Sequence, residues 1–448
     1  MAKVKLNEHF TFKKLLKISL GPILMMVCIS IYSVVDGLFV SNFCEPEAFT
    51  GLNLIFPAVF IVGGLGLMFG TGGSALIGKL LGENKKEEAG KVLTNVCIAA
   101  FIIGVTISTI AGIFIEPIAR LLASTSQDSN EKMIEYAVAY GRILMFAQPI
   151  YMLQAMFQSF LMVNEKPMKS FIFTVAAGVT NVVLDALFIG VFKWGIYGAV
   201  SATITGMLVG GVGSLIYFIL SKDNLFNFAK FKPDFRTILK VITNGSSEFI
   251  SNVSGSIVAI IFNLQLLKYF GNVGVSSYGV IQYVGFIFLA VFIGYGTGIA
   301  PAVSYHFGAG NKDELKNILK KSLIIISVFS VSMFLLGGAL ATPSALIFSA
   351  GQEEMITLTK LAMSIFAISF LFSGLCILIS CYFTALNNGL ISAIVSFCRC
   401  LIFQVAFVFV IPLVLGEYGI FWSIVFAEFL ALILAVILLI KFRKKYGY

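Results

Sequence analysis

Charge is scarce in this 448-residue chain: Asp, Glu, Lys and Arg together make 12% of it, while 58% is hydrophobic. A soluble globular domain carries about 25% charged residues, so that class is excluded. Histidine is nearly absent. His9 and His306 both fall near expected span ends, so no imidazole stands at depth to hold a metal or act as a general base. The seven cysteines form no paired framework. Cys398 and Cys400, two apart in an apolar run, are too few for a zinc site and read as small apolar fillers. No Gly-x-x-x-x-Gly-Lys-Ser/Thr loop occurs, which excludes ATP-driven work by this chain alone. No nucleophile and base cluster at one depth, so an enzyme is not expected. The net charge of +9 does not indicate nucleic acid, because the Lys and Arg sit in short loops between apolar runs. The first apolar run is long and lacks a small-residue cleavage site, so it reads as a retained span.

What is abundant is uninterrupted apolar sequence. Twelve segments reach the length of about twenty residues needed to cross a bilayer. They run roughly over 15–42, 52–80, 93–115, 133–162, 168–191, 195–221, 238–268, 275–306, 317–341, 355–385, 391–416 and 419–441. The expected fold is an all-α polytopic membrane protein. Pro22, Pro57, Pro149 and Pro301 lie inside spans and mark kinks. Basic residues orient the chain. They begin in the N-terminal stretch with Lys3, Lys5, Lys13, Lys14 and Lys17. They then gather after the even-numbered spans, as in Lys85, Lys86, Lys166, Lys169, Lys230, Lys232, Lys316 and Lys320, and in the tail at Arg443, Lys444 and Lys445. Both termini are therefore expected in the cytoplasm of a plasma-membrane protein.

The chain also repeats. Phe69-Gly70-Thr71-Gly72 echoes Tyr295-Gly296-Thr297-Gly298, and the turn Gly82-Glu83-Asn84-Lys85 echoes Gly308-Ala309-Gly310-Asn311, 226 residues on. Trp194-Gly195-Ile196 echoes Tyr418-Gly419-Ile420 at 224, which sets Asn164 against Asn388. Residues 1–221 and 238–448 thus read as two six-span lobes joined by a cytoplasmic linker, 222–237. Six spans is an even number, so the lobes are parallel repeats related by a pseudo-twofold axis near the membrane normal.

Acids within spans are the strongest functional signal. A carboxylate at such depth costs roughly 2.5–3.5 kcal/mol on insertion scales, a cost kept when the group holds a proton or an ion. Asn181 and Asp185 stand four apart on one face of the fifth span. Asp36 in the first span, Asp185, and Thr203 in the sixth fall about 9–12 Å below the outer boundary, counted at 1.5 Å per residue. Two neighbouring carboxylates cannot both stay ionised cheaply, so one is expected to take up a proton. The same oxygen set suits a hard cation such as Na⁺. At an offset of 224, Asp36, Asn181 and Asp185 face Ile260, Val405 and Phe409, so the cluster belongs to the first lobe alone. The second half offers Glu248 with Asn252 on one face of the seventh span, Arg399 in the eleventh and Glu428 in the twelfth. Glu248 could meet a cationic substrate or form a pair with Arg399. Glu428 reads as structural or interfacial. Gln148, Gln282 and Tyr283 are further cavity candidates, each also readable as helix–helix glue.

With these residues in view, the chain resembles the multidrug and toxic compound extrusion (MATE) transporters of the MOP flippase superfamily. The resemblance rests on twelve spans in two halves, Val35-Asp36-Gly37, Asn181-x-x-x-Asp185, Gly70-Thr71-Gly72 and the Gly82-Glu83-Asn84-Lys85 turn. It implies a V-shaped, outward-open transporter that exports organic cations in exchange for H⁺ or Na⁺. It assigns the coupling ion to Asp36, Asn181, Asp185 and Thr203, and a proline-linked bend to Pro22. Some members rely on second-half acids. Glu248 matches one of these, but the eleventh-span position has only Arg399 and Gln404. The expected partners are cationic or amphipathic drugs and the bilayer. The protein is expected to act as a monomer with no bound cofactor, driven by an ion gradient. The alternative within the superfamily is a flippase for a lipid-linked sugar. It would need a strongly cationic cavity, for which only Arg142 and Arg399 are deep.

Overall fold

The computed structural model describes residues 4–124, 130–348 and 352–448. Lys3, counted above in the basic N-terminal stretch, lies outside them. The described residues form helices and no strand. The first six spans are Phe12–Phe43, Pro46–Gly82, Lys86–Ile113, Glu131–Val163, Pro167–Val191 and Gly195–Leu220. The seventh and eighth share the run Phe235–Gly308, broken where Gly271 takes φ 58° and ψ −152°. That conformation suits a residue without Cβ, and it separates 235–270 from 272–308. Lys312–Phe348, Glu353–Ala385, Gly389–Leu415 and Gly419–Tyr446 complete twelve helices of spanning length; by composition all but Glu131–Val163 are apolar enough to cross a membrane.

Several helices outrun their apolar stretches. The second starts at Pro46, whose missing N–H costs nothing in a first turn. A short helix not anticipated above, Ile115–Ala123, buries Ile115, Ala119 and Ala123 and joins the third span to the fourth.

Packing groups the chain into two units: residues 28–253, and residues 1–27 together with 254–448. These boundaries lie inside the first and seventh spans, not in the linker at 222–237. Glycines explain the cut. A Cβ on Gly72 would overlap the Val241 carbonyl, and one on Gly245 the Met68 carbonyl, so the start of the seventh span lies backbone to backbone on the second. In the other unit, a Cβ on Gly294 would stand 2.5 Å from the Ile23 Cα, and one on Gly298 2.7 Å from the Ser19 Cα. The linker packs with the first unit. Lys166 donates to Asp223 at 2.7 Å, Asn164 accepts from the Leu225 N–H at 2.7 Å, and Thr94 bonds both the N–H and the carbonyl of Ala229.

The repeat is visible in its turns. The bonds Glu83 N–H to Lys79, Asn84 to Leu81 and Lys85 to Leu80 recur 226 residues on, as Ala309 to Tyr305, Gly310 to Phe307 and Asn311 to His306. The turn after the fourth span also recurs. Asn164 to Phe160, Glu165 to Met162 and Lys166 to Leu161 reappear as Leu386 to Tyr382, Asn387 to Thr384 and Asn388 to Phe383. Glu165 and Asn387 share the positive φ, at 57° and 55°. The offset here is 222, so Asn164 corresponds to Leu386 and not to Asn388. The shared asparagine pointed to the wrong register.

Candidate functional site

Up to Asp185 the fifth span buries Ser170, Thr174, Ala177, Gly178, Asn181 and Asp185, a stripe at helical spacing that is polar at four of six positions. Two glycines fix its neighbours. The Tyr32 ring of the first span sits on Gly178, where a Cβ would be 2.8 Å from its Cδ1. A Cβ on Gly206 of the sixth span would be 2.9 Å from the Ala177 oxygen and 3.3 Å from the Asn181 Cβ. The first and fifth spans run the same way. One turn beyond the Tyr32–Gly178 contact, Asp36 therefore arrives beside Asn181 and Asp185. Its side chain faces both of theirs.

Asp185 is fully buried and Asn181 nearly so. Asp36 Oδ1, both Asp185 oxygens and the Asn181 Nδ2 are enclosed with no hydrogen-bond partner. Two ionised carboxylates face to face offer acceptors only; a proton or a cation between them supplies what is missing. Thr203 donates to the Ala199 carbonyl at 3.0 Å. Its oxygen also meets the Tyr140 hydroxyl, which lies close to both aspartates. Tyr140 was not among the expected residues. Nothing in the sequence separates it from Tyr136 or Tyr151 on the same helix; only the packing does. Directly after Asp185 the helix widens into a π-turn, Ala186–Val191, a distortion that gathers at functional sites. The structure thus brings Asp36, Asn181, Asp185 and Thr203 together within one packing unit and adds Tyr140. Oxygen donors of this kind suit H⁺ or a hard monovalent cation.

The cavity candidates divide. Gln148, Glu248 and Asn252 pack in the same unit as Asp36, although Glu248 and Asn252 belong to the second half of the sequence. Gln148 is buried with its Oε1 unpartnered, and Asn252 donates to the Glu248 carbonyl at 2.9 Å. Gln282, Tyr283 and Arg399 belong to the other unit. Gln282 donates to the Tyr278 hydroxyl at 2.6 Å, and Tyr283 is exposed. The Glu248–Arg399 pair considered above gives way to another: Arg399 Nε donates to Glu428 Oε2 at 2.8 Å. Glu428 lies one helix away and buried, close enough to take the guanidinium. Pro22 sits inside the first helix, where it removes one backbone bond, five residues before the packing boundary.

Comparison with known proteins identifies the family and the fold. The MatE family model matches residues 22–187 and 248–410, one stretch in each sequence half. The multidrug export protein MepA of Staphylococcus saprophyticus is 24% identical, over 98% of this chain and 96% of its own. The fold matches an outward-facing multidrug resistance MATE family transporter of the MOP superfamily with a TM-score of 0.90, at 21% identity over 100% of this chain and 99% of that one. It also matches a MOP superfamily transporter from Pyrococcus furiosus, described by a reverse polarity of its binding pocket, with a TM-score of 0.91 at 21% identity over 100% of both chains. The chain belongs to the MatE family, the multidrug and toxic compound extrusion transporters.

Proposed function

We propose that this transporter is a secondary-active antiporter that exports hydrophobic organic cations in exchange for H⁺ or Na⁺. Asp36, Asn181, Asp185 and Thr203 bind the coupling ion, with Tyr140 orienting Thr203. The reading is carried by two facing carboxylates, three of whose oxygens are enclosed without a hydrogen-bond partner. An ion entering from outside neutralises the pair, the first span shifts about Pro22, and substrate leaves. Return to the inward state frees the ion. The ion biases the two states only by its different affinity for each. In a one-for-one exchange of monovalent cations the membrane potential cancels and the ion gradient drives export: a tenfold gradient supplies about 1.4 kcal/mol, enough for roughly a tenfold concentration ratio. Glu248, Asn252 and Gln148 serve the substrate, with Glu248 answering its positive charge. The basic turns face the cytoplasm, as do both termini.

The flippase alternative needs free cationic charge at depth. Arg399 is neutralised by Glu428, and the Arg142 side chain is exposed. Dye accumulation in vesicles, driven first by an imposed pH gradient and then by an imposed Na⁺ gradient, tests the antiport. One gradient should sustain it, with an uncoupler abolishing the proton-driven case. Accumulation indifferent to both gradients defeats the reading.

A further inference from the structure

The second packing unit holds a charge cluster that the antiport cycle does not use. Arg399 and Glu428 meet across the eleventh and twelfth spans, with side chains 15% and 7% exposed. These spans are the repeat partners of the fifth and sixth, which carry Asn181, Asp185 and Thr203. The turn offset of 222 sets Arg399 against Ala177, one turn before Phe403, the counterpart of Asn181. The helix start at Tyr418, 224 residues after that at Trp194, sets Glu428 against Ile204, beside Thr203. In the first unit this crossing is closed by small groups, Ala177 against Gly206. In the second it carries an ion pair. Both repeat helices also widen into a π-turn at their charge: 186–191 follows Asp185, and 398–402 contains Arg399.

The two clusters differ in their charges. The first has two carboxylates and no cation among the groups that face them. The second has one carboxylate and a cation supplied by the chain. Arginine stays protonated in proteins, and this one is tethered, so it does not exchange. The remaining groups beside the pair are thiols: Arg399 Nη1 donates to the Cys400 Sγ at 3.8 Å, and the buried Cys376 lies close to Glu428. We infer that Glu428 is a monovalent-cation site filled permanently by Arg399, and that this resident charge confines ion exchange to the first lobe. The inference rests on the antiport reading for the word exchange, and on the ion pair for the site. A carboxylate buried without its partner must find another counter-charge, so Glu428 freed of Arg399 takes up H⁺ or Na⁺.

Melting temperature of the purified protein, measured against Na⁺ concentration and against pH, tests this without reference to transport. Wild type should show one ion-dependent stabilisation, from the first lobe. Arg399→Met should add a second, and Arg399→Met/Glu428→Leu should lose it again while keeping the first. A folded Arg399→Met protein with the wild-type profile overturns the inference. So does one that stays unfolded at every pH and Na⁺ concentration, because then no free ion replaces the guanidinium. A folded double variant without any ion response also overturns it, since ion binding would not then be confined to the first lobe. Failure of the antiport reading shows elsewhere, as wild-type dye transport indifferent to both gradients.

Discussion

Replacing Asp36 by Asn separates a coupling residue from a packing residue. The change keeps the side-chain volume, removes one charge and adds an amide donor. That donor enters a site where Asp36 Oδ1 and both Asp185 oxygens have none. Removing an intramembrane charge is worth about 2.5–3.5 kcal/mol on insertion scales. A hydrogen bond given to the remaining carboxylate adds about 1.5–3 kcal/mol, not additively. The ion-free variant should therefore melt higher than the ion-free wild type, by an amount on the order of 3 kcal/mol. Transport moves the other way. With the carboxylate pair reduced to one group already bonded to an amide, ion coupling is lost, and the roughly tenfold accumulation that a tenfold ion gradient sustains falls to about one. Both quantities can be read on one preparation, by a melting curve without ion and by dye accumulation in vesicles. A packing residue would lose stability and transport together. An Asp36→Asn protein that melts lower than wild type, or that still concentrates dye as wild type does under the same ion gradient, refutes the reasoning.

Tyr140→Phe removes the hydroxyl that meets Thr203, at a cost of about 1 kcal/mol; the apparent ion affinity should weaken roughly five-fold with the maximal rate kept, as read by ion titration of efflux. Gly245→Ala sets a Cβ against the Met68 carbonyl, with backbone on both sides and no side chain able to give way. It should cost about 1–3 kcal/mol or more, and an unchanged melting temperature would mean that the second and seventh spans do not touch there. The Lys166 ammonium, helped by the Ser221 hydroxyl, holds the Asp223 carboxyl well below the usual carboxylate range. A folded value below the unfolded one means that the contribution is whole above about pH 5 and fades as acid protonates the group. Hydrogen-exchange protection in the linker, taken relative to the intrinsic rate at each pH, should therefore fall below that pH, and Asp223→Asn should remove the dependence.

The spans were legible because crossing a bilayer demands length and apolarity, both of which can be counted along the chain. That Asp36 and Asp185 would lie buried side by side was legible because a carboxylate in an apolar span is costly and seeks company away from lipid. Partners were not legible, because they depend on which helix face meets which. Packing puts Glu248 with the first-lobe acids because Gly72 and Gly245 let two backbones touch, and nothing in a glycine's position says what it will touch. Register matters as much. Taking 224 in place of 222 after the fourth span is a slip of two residues, about 200° around a helix at 3.6 residues per turn. One shared asparagine was enough to cause it. The asymmetry between the lobes survives the correction. At 222 Asn181 and Asp185 meet Phe403 and Phe407, and at 224 Val405 and Phe409, all apolar. A site whose absence from the second lobe does not depend on the alignment is a property of the lobes themselves. It also leaves Arg399 and Glu428 as the charges that the second lobe keeps in its place.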